Sequence, residues 1–89
     1  EEFVVICPEA DLDQAWQVAQ RVREALAMQP RENRLQVGPV TASIGVAVYP
    51  QHGQDALALF AAADAALYRA KVAGRDRCEL ARAEDAAAG

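Results

Sequence analysis

Two glutamates open the chain, Glu1-Glu2-Phe3, directly ahead of an apolar run, and two cations, Lys71 and Arg75, stand four residues apart late in it. Adjacent carboxylates at the mouth of a strand can hold a divalent cation, because Mg²⁺ takes carboxylate oxygens together with the phosphate oxygens of a substrate. Taken alone, two acidic residues at an exposed end are ordinary solvated surface. Lys71 and Arg75 would suit a polyphosphate. Their plainer reading is that basic groups at a helix C-terminus offset its dipole, worth about 0.3–1 kcal/mol. A third pattern, Thr41-Ala42-Ser43-Ile44-Gly45-Val46-Ala47, alternates small and branched residues. Its direct reading is a strand with one thin face on which a helix packs closely.

The elements that must position these residues follow from periodicity. Phe3-Val4-Val5-Ile6-Cys7 is a continuous apolar run ended by Pro8 and predicts a strand buried on both faces. From Asp11 to Ala27, Leu12, Ala15, Trp16, Ala19, Val22 and Leu26 fall on one helical stripe. Asp11 with Gln14 supplies a capping-box start. Residues 28–38 read as a loop, punctuated by Pro30 and Gly38. Val40 to Tyr49 predicts a second strand by β-branching, ended by Pro50. Gly45 in its middle implies a bulge or a close backbone approach. Gly53 and Asp55 open a second helix to about Val72, with Leu57, Phe60, Leu67 and Tyr68 as its apolar stripe and Asp64 on its inward side. Gly74 stands where a left-handed C-terminal cap belongs. A short strand over about Arg77 to Leu80 follows, and the alanine-rich tail from Ala81 is expected to be frayed, with a helical stub as the alternative. The order strand, helix, strand, helix, strand predicts an α/β or α+β layering.

Composition narrows the function. The chain has 89 residues, 53% hydrophobic and 25% charged, which bounds it to one small globular domain. Nine basic against thirteen acidic residues give a net charge of −4, which argues against a nucleic-acid-binding face. No apolar run approaches the roughly 20 residues of a membrane span. Cys7 and Cys78 read as buried reduced thiols of a cytoplasmic protein. With His52 the only histidine, they make no zinc site. The opening without methionine reads as a piece of something longer.

Taken together, the Ser43-Ile44-Gly45-Val46-Ala47 strand, the helix end Ala63-Asp64-x-Ala66-Leu67-Tyr68-x-Ala70-Lys71-x-x-Gly74-Arg75 and the opening Glu-Glu-Phe resemble GGDEF domains of diguanylate cyclases. The opening would be the last three letters of a Gly-Gly-Glu-Glu-Phe variant. The resemblance covers about residues 1–80, leaving 81–89 as a flexible tail. It implies a partial ferredoxin-like, nucleotidyl-cyclase palm in which the family's central first strand is missing. That strand would lie between the one beginning at Phe3 and the one around Ile44. Without it, two buried strands would be left with unpaired edges.

The resemblance also implies an activity. Glu1 would bind the catalytic metal and Glu2 would help organise metal and attacking hydroxyl. Lys71 and Arg75 would contact the nucleotide phosphates. The reaction would condense two GTP molecules into cyclic di-GMP and pyrophosphate, one GTP held by each subunit of a homodimer. About two Mg²⁺ ions would serve each active site, with Mn²⁺ a possible substitute. The family's paired glycines, its upstream metal-binding Asp, its guanine-reading residues and its Arg-x-x-Asp product-inhibition site are not in these 89 residues, so the segment alone is expected to be inactive. Asp76 stands where the family commonly has Asn. The competing readings are a GGDEF domain that binds GTP without turnover, as a regulatory module, and an unrelated small α/β domain.

Overall fold

Among the described residues, three parallel strands, adjacent in chain order, form one sheet with a long helix on each face. The computed structural model describes residues 1–9, 11–28 and 41–88. Its elements are β1 (Glu2–Pro8), α1 (Leu12–Ala27), β2 (Ser43–Tyr49), α2 (Ala56–Val72), β3 (Arg77–Leu80) and α3 (Ala83–Ala88). The alternation of strand and helix read from the sequence therefore holds. The expected loop beyond Met28, and Val40 at the start of the second predicted strand, lie outside the described residues.

Both long helices start at an aspartate cap. The Gln14 N–H donates to Asp11 Oδ1 at 2.7 Å and the Asp11 N–H to Gln14 Oε1 at 3.3 Å, the reciprocal pair of a capping box. Asp55 accepts from the Ala58 N–H at 2.8 Å. Each cap satisfies donors that the first helical turn leaves without partners.

The two faces of β2 decide where the helices go. Ile44, Val46 and Val48 point to one side, where Cys7, Cys78 and the α1 residues Ala15 and Ala19 close a core flanked by Trp16 and Leu26. Gly45 and Ala47 point to the other, toward α2. A Cβ at Gly45 would fall under 3.0 Å from the Ala63 carbonyl and from the backbone and Cβ of Leu67. The glycine therefore marks close helix approach. It is not a bulge, because the ladder runs through Gly45 without interruption on both sides.

α2 itself corrects the expected stripe. Leu57, Phe60 and Tyr68 are exposed, and so is Asp64; the buried face is Leu59, Ala62, Ala63, Ala66, Leu67 and Ala70. A helix this close to a sheet can bury only small side chains along most of its contact. Leu57, Phe60 and Tyr68 are displaced outward, and Asp64 turns to solvent with them. On α1, similarly, Leu12 and Val22 are more than a third exposed while the two alanines are fully buried.

β1 also departs from the expected double burial. Only Cys7 is buried; Phe3 and Ile6 are exposed, because among the described residues β1 is an edge strand. Nor do β1 and β2 face each other across a gap. They pair directly over seven residues, Glu2 with Ser43 through Pro8 with Tyr49. β2 begins at Ser43, leaving Thr41 and Ala42 outside the strand.

Where a frayed tail was expected, α3 docks on α2. Arg69 donates two hydrogen bonds to Asp85, at 2.8 and 3.1 Å, and another to the Leu80 carbonyl at 3.1 Å. Asp85 also accepts from the Arg82 N–H at 2.7 Å, capping α3. The Arg69 hydrogen bond, foremost, holds the Asp85 carboxyl below its usual range. His52 is buried between β2 and α2 and accepts the Val48 N–H on Nδ1 at 2.9 Å. Burial lowers its pKa, with Asp85 opposing. Cys7 and Cys78 are free buried thiols, as expected.

Two stability predictions follow from these contacts. Gly45→Ala should destabilise by about 2–3 kcal/mol, because the obstacle is helix backbone that a rotamer change cannot move. An unchanged urea midpoint would mean that α2 does not sit this close. Asp85→Ala should cost between the ~1 kcal/mol of an exposed pair and the ~3 kcal/mol of a buried one. Since the folded pKa of Asp85 is depressed, its contribution is complete above the ordinary value of 3.8 and lost as pH falls through the folded value. Acid titration of the wild type should therefore show a stability loss that Asp85→Ala lacks.

Candidate active site at the amino edge of the sheet

All three strands run the same way, so their amino ends share one edge. Open parallel sheets ordinarily seat ligands at the opposite, carboxyl edge. Here the chemistry-bearing residues gather at the amino edge, where α2 ends and β1 begins.

Glu2 is the centre of this cluster. Its Oε1 lies 3.2 Å from Lys71 Nζ and its Oε2 lies 3.5 Å from an Arg75 terminal nitrogen. Residues 2 and 71 are brought together because α2 crosses beside β1 and ends at its mouth. The hydrogen bond from Lys71 is the largest influence on Glu2 and, with Arg75, lowers its pKa below the model-peptide value of 4.5. The side chains remain 45%, 33% and 60% exposed for Glu2, Lys71 and Arg75, so the cluster faces solvent and is open to a ligand.

Glu1 sits beside it but is held differently. Its nitrogen donates to the Thr41 carbonyl at 3.1 Å, and its carbonyl accepts from the Ser43 N–H at 2.9 Å. These bonds extend the β1–β2 ladder past the strand and fix the Glu1 backbone. Among the described residues, no ion pair involves its carboxylate.

The Arg75 backbone is set by the end of α2. The Arg75 N–H reaches back to the Ala70 carbonyl at 2.9 Å and the Gly74 N–H to the Lys71 carbonyl at 3.4 Å, the two bonds of a Schellman cap. Gly74 has φ +125°, as the expected cap glycine should. Arg75 and Asp76 follow with φ of 63° and 47°, two successive non-glycine residues in the left-handed region. Three further contacts pin this turn. Arg77 Nε donates to the Arg75 carbonyl at 3.2 Å, the Arg77 N–H donates to the Ala42 carbonyl at 3.1 Å, and Arg23 of α1 pairs with Asp76 at 3.0 Å. The Arg23–Asp76 pair joins positions 53 apart, and no local sequence pattern announces it.

A helix C-terminus carries partial negative charge and repels phosphate. Lys71 and Arg75 reverse that sign locally. These two side chains give the site its attraction for a polyanion, and in the structure both are engaged by Glu2. Two surface hollows lie elsewhere. One of about 450 Å³ is lined by Trp16, Gln17, Gln20, Arg21 and Glu24, and one of about 230 Å³ by Asp55, Leu57, Ala58 and Ala61. Neither brings an acid and a base pair together with a strand mouth. The charge geometry makes the amino edge the better candidate.

Among the described residues, no three His, Cys, Asp or Glu side chains are grouped as a metal cage. Glu1 and Glu2 offer two carboxylates only. That donor set suits a hard cation completed by water and phosphate oxygens, and not a closed zinc site.

Comparison with known proteins bears on the same residues. The chain is 41% identical over 81 residues to the diguanylate cyclase DgcP of Pseudomonas aeruginosa, covering 91% of this chain and 12% of that protein. It is 41% identical over 80 residues to the diguanylate cyclase VdcA of Vibrio cholerae, covering 86% of this chain and 23% of that one. The response regulator PleD of Caulobacter vibrioides is 37% identical over 78 residues, covering 85% and 17%. The chain thus spans less than a quarter of the length of each of these relatives. No solved structure matches. The family model described as "Diguanylate cyclase, GGDEF domain" matches residues 1–77, a span that takes in β1, β2, both long helices and Glu1, Glu2, Lys71 and Arg75 of the amino edge. With that span matched, the chain belongs to the GGDEF family of diguanylate cyclase domains.

Proposed function

We propose that this segment supplies the metal-binding and phosphate-binding edge of a diguanylate cyclase site that condenses two GTP into cyclic di-GMP. The observation that carries the reading is the Glu2–Lys71–Arg75 cluster, assembled at one exposed edge from residues about 70 positions apart. In the reaction, the 3′-oxygen of one GTP bonds to the α-phosphorus of a second. The bond from that phosphorus to the pyrophosphate oxygen breaks, and pyrophosphate leaves. Two such steps close the ring, each needing the partner GTP from a facing subunit.

The residues divide the work by charge. Lys71 presents a point charge and Arg75 a planar fork of donors, and together they neutralise triphosphate oxygens. Glu1 and Glu2 would hold a divalent cation, Mg²⁺ or Mn²⁺. When bound, that cation supplies charge neutralisation and lowers the pKa of an attacking hydroxyl. Glu2 is the residue shared between the two halves: a carboxylate that pairs with Lys71 and Arg75 when no phosphate is there to do so.

The reading is tested in the full-length protein with GTP and Mg²⁺, following cyclic di-GMP by chromatography. Glu1→Ala should lower product formation by at least about a hundredfold with the fold intact. A wild-type rate in that variant would remove Glu1 from the metal site. GTP binding without product in the wild type would favour the regulatory, non-catalytic reading. The 89-residue segment alone should make no product, because the resemblance assigns a second metal-binding Asp and the guanine-reading residues to other sequence.

A second measurement separates the two charges. Lys71→Ala should weaken GTP binding about tenfold, the loss of one charge-assisted contact. Glu2→Gln should instead tighten binding of GTP measured without divalent cation, since it frees Lys71 and Arg75 and removes a repelling carboxylate. Equal affinities for wild type and both variants would return the cluster to surface decoration.

A further inference from the structure

We propose that Arg23, on the opposite helix, is a positioning residue for Arg75, acting through Asp76. The inference rests on Arg75 being a phosphate contact. Arg75 and Asp76 both adopt positive φ, and a non-glycine residue in that region is held there at a cost by its surroundings. Asp tolerates the left-handed region better than most residues, which suits it to position 76. Its side chain then projects across the sheet edge to α1 and pairs with Arg23 Nη1 at 3.0 Å.

Arg23 is itself aimed. Its Nε donates to Gln20 Oε1 at 3.2 Å, one turn earlier on the same helix face. It is the less exposed partner, at 27% against 50% for Asp76. α1 otherwise contacts β2 and β3 and has no residue in the Glu2–Lys71–Arg75 cluster. The Arg23–Asp76 pair thus ties α1 directly to the turn that carries Arg75, while Arg23 also lies against Cys78 of β3. Releasing it lets the turn explore other conformations and lowers the fraction in which the Arg75 fork faces the phosphates. The cluster keeps all its charges but loses alignment.

The test uses full-length protein, GTP and Mg²⁺, and reads KM, kcat and the thermal midpoint. Arg23→Met and Arg23→Gln should raise KM for GTP about two- to fivefold, the range set by a partly exposed ion pair. kcat and the midpoint should be little changed, and Arg23→Lys should recover part of the loss. In an Arg75→Ala background, Arg23→Met should have no further effect on KM. An unchanged KM in both single variants overturns the proposal. So does a KM effect that persists undiminished without Arg75, or one that tracks a fall in the midpoint. If Arg75→Ala itself leaves GTP binding unaltered, the phosphate assignment fails first and takes this inference with it. If Arg75→Ala weakens binding and Arg23→Met does not, the positioning role alone fails.

Discussion

α2 lies so close to the sheet that Gly45 has no room for a methyl group, and the rest of the arrangement depends on that contact. Four alanines on the buried face, Ala62, Ala63, Ala66 and Ala70, keep the helix backbone near the strands along its length. A helix held this low delivers its last turn to the mouth of β1 and not above it. Lys71 then needs only an ordinary side-chain reach to meet Glu2. The small-residue face is therefore part of the site's construction, although none of those alanines could touch a ligand's charge.

The alanine packing also explains which parts of the fold were legible in the sequence. The strand–helix alternation, both aspartate caps and the Gly74 cap could be read because each is a local signal, whereas Gly45 was narrowed only to a bulge or a close backbone approach. The α2 stripe could not. Leu57, Phe60 and Tyr68 have helical spacing, but spacing gives a face and not its direction. The contact distance, set by Gly45 on a different element, decided that the alanine face went inward. The double burial expected for Phe3–Cys7 failed for a related reason: an apolar run does not say how many neighbours its strand has, and among the described residues β1 has one.

Within the site the same division appears. A family pattern singled out Glu1, Glu2, Lys71 and Arg75, and of these Glu2, Lys71 and Arg75 meet in the structure. The reading did not foresee that Glu2 would be the carboxylate shared by both cations while Glu1 is held by its backbone. Arg23 was invisible, because its partner lies 53 residues away and Arg23 itself belongs to no recognisable pattern. Long-range ion pairs of this kind leave no periodic trace.

The parallel ladder between β1 and β2 carries one last consequence. Along β1, Glu2 and Val4 face α2, while Val5 and Cys7 face α1. A slip of β1 by a single residue would preserve most backbone pairing yet put the Phe3 ring where the Glu2 carboxylate belongs. Strand alignment and charge matching are therefore one error-correcting condition. A misaligned sheet would leave Lys71 and Arg75 facing a hydrocarbon ring, and the ion pairs themselves penalise that misfold.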